Sequence, residues 1–180
     1  MPSEFFESIR VPKERIGVLI GSKGRVKRRL EKLTGTVIDV DSAEGIVEIE
    51  GKGNSANFND AVNVVKAIGR GFSPENAFEL LGEDTFLDII DVPGIVGGGR
   101  KTAMTKKGRV IGAKGMAREQ IEKATGAKIS VFGKTVSIIG SGEEVELARD
   151  AIERLLQGAK HETVLSFIKK QQAEKTRFSI

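Results

Sequence analysis

Two short runs decide how this chain folds: Ile20-Gly21-Ser22-Lys23-Gly24 and Ile111-Gly112-Ala113-Lys114-Gly115. Each is a glycine-x-x-glycine turn with a lysine inside it and a basic helical segment behind it. Glycine adopts backbone angles that a β-carbon forbids and lets another backbone come close. A turn of this kind opening a helix suits a phosphate, because the helix's first N–H groups are unsatisfied.

Shifting the sequence by 91 residues aligns far more than the turns. Gly17 falls on Gly108, Leu30 on Ile121, Thr34-Gly35 on Thr125-Gly126, and Ile38 and Val40 on Ile129 and Val131. The register then slips by two, so that Val47-Glu48-Ile49 meets Val136-Ser137-Ile138. Length changes of that kind are tolerated in connections. The chain is thus a duplication of one unit of roughly 70 residues, not an array of many short repeats.

The periods within each unit give its elements. Ser8 to Val11, closed by Pro12, and Phe86 to Val92, closed by Pro93, read as strands. After each turn, Val26, Leu30 and Leu33, or Ala117, Ile121 and Ala124, recur at i, i+4, i+7, one apolar stripe of a helix. Gly35 and Gly126 stand where a left-handed C-terminal cap is expected. Two β-rich runs follow in each unit, Thr36–Val40 with Ile46–Glu50 and Lys128–Phe132 with Thr135–Ile139. Asp41 to Gly45 and Gly133-Lys134 form their hairpin loops. A last amphipathic helix covers about Ala56–Arg70 and Glu143–Gln157. The class is α+β, with the order strand, helix, helix, strand, strand, helix in each unit.

These readings divide the chain into a first domain at 1–72, a connecting helix at 73–84, a second domain at 85–160 and a C-terminal helix and tail at 161–180. Ser73 caps the connecting helix and Pro74 takes its first position, with Phe72, Phe78 and Leu81 to dock it. The second unit carries an insert near 94–104, glycine-rich and basic, which reads as a mobile loop. The C-terminal helix is expected to close the second domain and then fray.

Composition narrows the classes. The 180 residues contain no cysteine, no tryptophan and no tyrosine, and one histidine. That excludes disulfides and cysteine–zinc sites, and fits a reducing compartment. No run approaches the length of a membrane span, and MPSEFFESIR is not a secretory signal. A cytoplasmic protein is expected. The net charge of +4 is unevenly spread. From Arg10 to Lys32 there are nine Lys/Arg against two acids, and from Arg100 to Lys134 ten against two. The rest of the chain is therefore strongly acidic. Two basic clusters at matching places in a repeat have the form of a polyanion footprint.

At this point the residues resemble a known family. GVLIGSKGRVKRRLEKLTG and GRVIGAKGMAREQIEKATG look like the signature of type I KH domains, so two such domains joined by a short helix are expected. The resemblance implies that each loop clamps the backbone of about four nucleotides beside an apolar groove. On that reading the RNA-binding residues are Gly21, Ser22, Lys23, Gly24, Arg25, Lys27 and Arg28 in the first unit. In the second they are Arg109, Gly112, Ala113, Lys114, Gly115 and Arg118. Val18, Ile20 and Ile38, and Val110, Ile111 and Ile129, are candidates for the groove floor; some of the six must face the core instead. Without Trp or Tyr, an extended single strand held by van der Waals contact is expected rather than one stacked on aromatic rings. The linker GFSPENAFELLGEDTFLDIIDV and the ending AIERLLQGAKHETV are similar to the archaeal counterparts of the partner-of-Nob proteins. That resemblance implies binding near the 3′ end of small-subunit ribosomal RNA. It also implies association with the endonuclease that trims this end and with the α subunit of translation initiation factor 2. Eukaryotic members keep a good glycine loop only in the second unit, whereas this chain keeps both.

The residues fit rival classes less well. Gly94 to Thr102 resembles a nucleotide-binding P-loop, but Arg100 separates the last glycine from Lys101, and no helical pattern follows at once. His161 alone supports neither a histidine metal site nor a catalytic triad, and reads as a cap or surface residue. Asp39/Asp41 and Asp88/Asp91 read as turn formers or solvated side chains before metal ligands. Neither a metal nor a cofactor is expected, and the chain reads as a non-enzyme. A protein-docking scaffold with RNA held only by the second unit is the alternative, but it leaves one basic loop without a purpose.

Overall fold

The computed structural model describes residues 5–178, so the outermost ends of the first and last expected segments lie outside the described residues. The described residues form two compact units, divided between Glu83 and Asp84.

In the first unit, strand β1 (Phe5–Arg10) leads into α1 (Lys13–Ile20) and α2 (Arg25–Thr34), then β2 (Val37–Asp41), β3 (Ile46–Gly51) and α3 (Ser55–Gly69). The sheet is antiparallel in the order β1-β3-β2, with Ile9 opposite Val47 and Val40 opposite Val47 on the other side. Asp41 turns the hairpin: its carboxylate accepts from the Ala43 and Glu44 amides at 3.0 Å. Leu19, Leu30, Ile38, Val47, Ile49, Val65 and Ile68 are buried together between helices and sheet. Burial of each such side chain contributes about 1.5–3 kcal/mol. The helical stripe of α2 turns slightly from its expected line. Leu30 and Thr34 are buried while Leu33 is exposed, and the Thr34 hydroxyl donates to the Leu30 carbonyl, which satisfies it inside the core.

The connecting segment is docked on this unit. Ser73 accepts from the Asn76 amide and caps α4 (Pro74–Ala77), and a single 3-10 turn continues to Leu81. Phe72, Ala77 and Leu80 are the buried residues, whereas Phe78 is half-buried beneath the Arg29 guanidinium, 4.7 Å from its ring centroid.

The second unit repeats the plan and lengthens it. Strand β4 (Phe86–Asp91) is followed by α5 (Val92–Val96), α6 (Arg100–Ile111), α7 (Met116–Thr125), β5 (Lys128–Phe132), β6 (Thr135–Gly140), α8 (Gly142–Leu156) and α9 (His161–Phe178). Sheet order is β4-β6-β5, antiparallel throughout. Ser141 and Glu144 form a reciprocal capping box that starts α8. Val164 and Ile168 fasten α9 to the core, and the helix runs from His161 to Phe178.

The expected mobile loop at 94–104 is mostly helical. The Asp91 carboxylate accepts from the Gly94 amide and caps α5, with Pro93 in its first turn. Only Gly97 to Gly99 separate it from α6, which starts directly at Arg100. The expectation that no helix follows the glycine run is therefore also corrected. The P-loop spacing is not formed, because Gly94, Ile95 and Val96 are already helix.

Candidate nucleic-acid interface

The two glycine loops have the same backbone. Gly21 sits at φ 72, ψ 171 and Gly112 at φ 71, ψ 178, a region open essentially to glycine alone. A β-carbon at Gly21 would lie 2.4 Å from Val26 Cγ2, and one at Gly112 would lie 2.5 Å from Ala117 Cβ. Helix and loop could not approach so closely with any other residue. Lys23 and Lys114 are held left-handed, at φ 52 and φ 53, the only non-glycine residues with positive φ among those described. Such a conformation costs on the order of 1 kcal/mol, and in both units it leaves the lysine exposed. Gly24 and Gly115 follow, also left-handed, and each donates back to the first glycine's carbonyl, at 3.0 and 3.3 Å. α2 and α7 begin at the next residue. A tight turn, a projecting cation and a fresh helix N-terminus thus coincide twice, which is an anion-binding arrangement.

The surroundings of the loops divide the expected residues. Ser22, Lys23 and Arg25, like Ala113 and Lys114, are exposed at or beside the turn. Arg28 donates to the Lys23 carbonyl and braces the first loop from behind. The equivalent residue in the second unit is the exposed Glu119, so that loop has no such brace. Lys27 and Arg118 occupy matching places. Lys27 pairs with Glu31 at 3.0 Å and Arg118 with Glu122 at 3.8 Å. Those glutamates also accept from the amides of Ile38 (2.9 Å) and Ile129 (2.8 Å), tying helix to edge strand identically in both units. The glutamate braces were not expected from sequence, although Glu31 and Glu122 align under the 91-residue shift.

Four expected residues are built into the frame. The Arg109 guanidinium donates to the carbonyls of Leu155 (3.2 Å) and Ala159 (2.7 Å), at the end of α8. Cations are favoured there by the helix dipole. Arg15 does the same for α3, donating to Ile68 (2.8 Å) and Phe72 (2.6 Å), and burial lowers its pKa from the ordinary arginine value. The backbone of Arg109 is held as well, its carbonyl 2.7 Å from His161 Nε2. That places the lone histidine in a tertiary link at the start of α9. Ile129 is likewise core, at 3% exposure, as are Ile38 and Val110, because these positions face the helices.

What remains open beside the loops is Ile20, half-buried, and Ile111, 36% exposed. The second unit adds two residues that sequence reasoning passed over, Met116 at 55% and Met104 at 61% exposure. Their signal was the repeat itself: Met116 and Met104 align with Arg25 and Lys13. The first unit therefore flanks its loop with charge and the second with apolar surface. Three of the four carboxylates in the acidic pairs have structural roles: Asp41 shapes its hairpin, Asp91 caps α5, and Asp88 holds Arg149 at 2.6 Å.

Topology and loops together define a tandem KH protein. The chain matches the KH domain over residues 6–66 and the eukaryotic-type KH domain, type I, over residues 86–173. It is 40% identical over 179 residues to the KH domain-containing protein MJ0443 of Methanocaldococcus jannaschii, covering 97% of this chain and 78% of that one. It is 41% identical, with a TM-score of 0.88, to a solved chain from the a/eIF2α–aDim2p–rRNA complex of Pyrococcus horikoshii, covering 94% and 95% of the two chains. The pre-rRNA-processing protein PNO1 of Chaetomium thermophilum is 34% identical over 100 residues, 53% of this chain and 38% of its own length. The chain belongs to the archaeal tandem-KH family related to PNO1 and Dim2p.

Proposed function

We propose that this protein binds single-stranded RNA through its glycine loops, with the Gly112–Gly115 loop as the principal grip, and that the RNA is the 3′-end region of small-subunit ribosomal RNA during ribosome assembly. The observation that carries the reading is the second loop. A left-handed, exposed Lys114 stands between two glycines at the mouth of α7, with exposed Ile111 and Met116 beside it. Phosphates meet the turn and its lysine, while the apolar side chains take the faces of unpaired bases. The solved complex of the Pyrococcus horikoshii relative, which contains both rRNA and a/eIF2α, supports a ribosomal RNA as ligand and the α subunit of initiation factor 2 as a proposed partner. The endonuclease that trims the rRNA 3′ end is a second proposed partner, and the cytoplasm is the proposed site of action. In this reading the protein is a binder and performs no chemistry of its own.

The braced first loop, with Arg25, Lys23 and Arg28 around it, supplies longer-range attraction and a secondary contact. A fluorescent fragment of the rRNA 3′ end, titrated with the parent and two loop variants, tests the assignment. Ala113→Asp with Lys114→Asp is expected to abolish tight binding. Ser22→Asp with Lys23→Asp is expected to weaken it modestly. Parent-like affinity in both would refute the reading.

A further inference from the structure

The insert that distinguishes the second unit builds a cavity of about 560 Å³ between α5, α6 and the β5–β6 turn. Its apolar lining includes Val92, Ala103 and Met104, and its cations are Arg100, Lys107 and Lys134. The turn is pinned in place: the Val92 amide donates to the Lys134 carbonyl at 3.0 Å, and Lys107 Nζ donates to the Gly133 carbonyl. In the first unit the residue aligned with Lys107 is Ile16, which is buried in the core. There is no counterpart of α5 there, and α1 is four residues shorter than α6. The cavity is thus an addition to the repeated plan, and neither the loop clamp nor the packing of the core uses it.

Its position on α6 suggests its use. Arg100, Met104, Lys107 and Ile111 are spaced four, three and four apart, so they share one helix face. That face runs from the cavity to the residue preceding Gly112, about 16–17 Å along the axis from Arg100. It alternates cationic and apolar side chains, as a strand of alternating phosphates and bases requires. We infer that the cavity is a nucleotide subsite, in which an unpaired base of the RNA strand beyond the clamped ones enters the apolar interior and its phosphate meets Arg100 and Lys134. The inference rests on the proposed RNA clamp and extends it along the strand.

The same chemistry would accept a free nucleotide, so the test separates the two sources. Binding of the full chain is measured with a four-nucleotide and an approximately eight-nucleotide single-stranded fragment of the rRNA 3′ end, in about 0.15 M salt. Charges more than about 8 Å apart are largely screened there. The parent is expected to gain about tenfold or more from the longer RNA, the effect of one well-held base. Arg100→Ala with Lys134→Ala should lose that gain, flatten the longer fragment's salt slope by about 0.7, and bind the four-nucleotide fragment as the parent does. Arg100→Glu, at an exposed position, should reproduce the loss. Parent-like binding of the longer RNA by these variants overturns the subsite, as do equal losses on both lengths. Adenosine monophosphate is the probe for the other source. If it binds the parent and not the double variant, with no length gain for RNA, the cavity is a mononucleotide site and the strand subsite is overturned. The Ala113→Asp, Lys114→Asp variant reports separately on the clamp: if it holds the four-nucleotide fragment like the parent, the clamp reading fails, whatever the cavity does.

Discussion

Replacing Gly112 by alanine tests the loop geometry through stability alone. The residue sits at φ 71, ψ 178. A side chain there costs about 1–3 kcal/mol of backbone strain. The new methyl would also stand 2.5 Å from Ala117 Cβ and 2.8 Å from the Ala117 amide nitrogen. A backbone atom cannot swing aside as the end of a long side chain can, so α7 must shift, at a further cost of about 1–3 kcal/mol. Together these give about 3 kcal/mol. Gly115→Ala is the internal control. Gly115 is also left-handed, at φ 79, but a methyl there meets nothing within 4 Å, and the cost is about 1 kcal/mol. For a unit of roughly 100 residues each kcal/mol lowers the melting temperature by about 4–8 °C. Scanning calorimetry should show the second unit's transition falling by about 15 °C in Gly112→Ala and about 5 °C in Gly115→Ala. Equal shifts in the two variants would refute the close approach of loop and helix.

Arg109→Ala should cost about 2 kcal/mol, the loss of its two charged hydrogen bonds to α8, and lower the same calorimetric transition by about 10 °C. RNA affinity below that transition should stay within about twofold, and a selective loss of affinity without a stability change would return Arg109 to the interface. Asp60, on α3, has its pKa raised above the ordinary 3.8 by burial. Its charged form is therefore disfavoured in the folded state, and that penalty is fully present near neutral pH. Asp60→Asn should be the more stable protein at pH 7 by urea unfolding, and the gap should close as pH falls through the raised pKa toward 3.8; a gap that widens on acidification would contradict the burial.

The duplication, the two loops and the hairpins could be read from residues because each rests on local chemistry. Glycines at required positive φ, an Asp-led turn and a serine cap at Ser73 declare themselves wherever they stand. The insert was harder. A run of glycines and cations has the composition of a loop, and only Ala103 and Val110 on α6 are buried, too few to set an apolar period. The helix-start signal was nevertheless present, in Asp91 as cap and Pro93 in the first turn. Arg109 is a different case. Within a basic cluster, a guanidinium that meets phosphate and one that closes a helix end have the same sequence surroundings, and only the fold brings Leu155 and Ala159 to it. Ile129 and Ile38 illustrate the same limit in a strand, where the face turned to the core is set by the packing of the helices.

In the proposed complex, the Gly112–Gly115 loop grips the phosphate backbone of single-stranded RNA. That grip is tested most directly by the dependence of affinity on salt, for the parent and for Ala113→Asp with Lys114→Asp. If about six phosphates are neutralised, the parent's log–log slope is about −4, and affinity falls by roughly two to three orders of magnitude between about 50 and 200 mM salt. The variant should start far weaker and show a clearly shallower slope. An affinity for the rRNA fragment that does not change with salt, or a variant with the parent's slope and affinity, would rule out that grip.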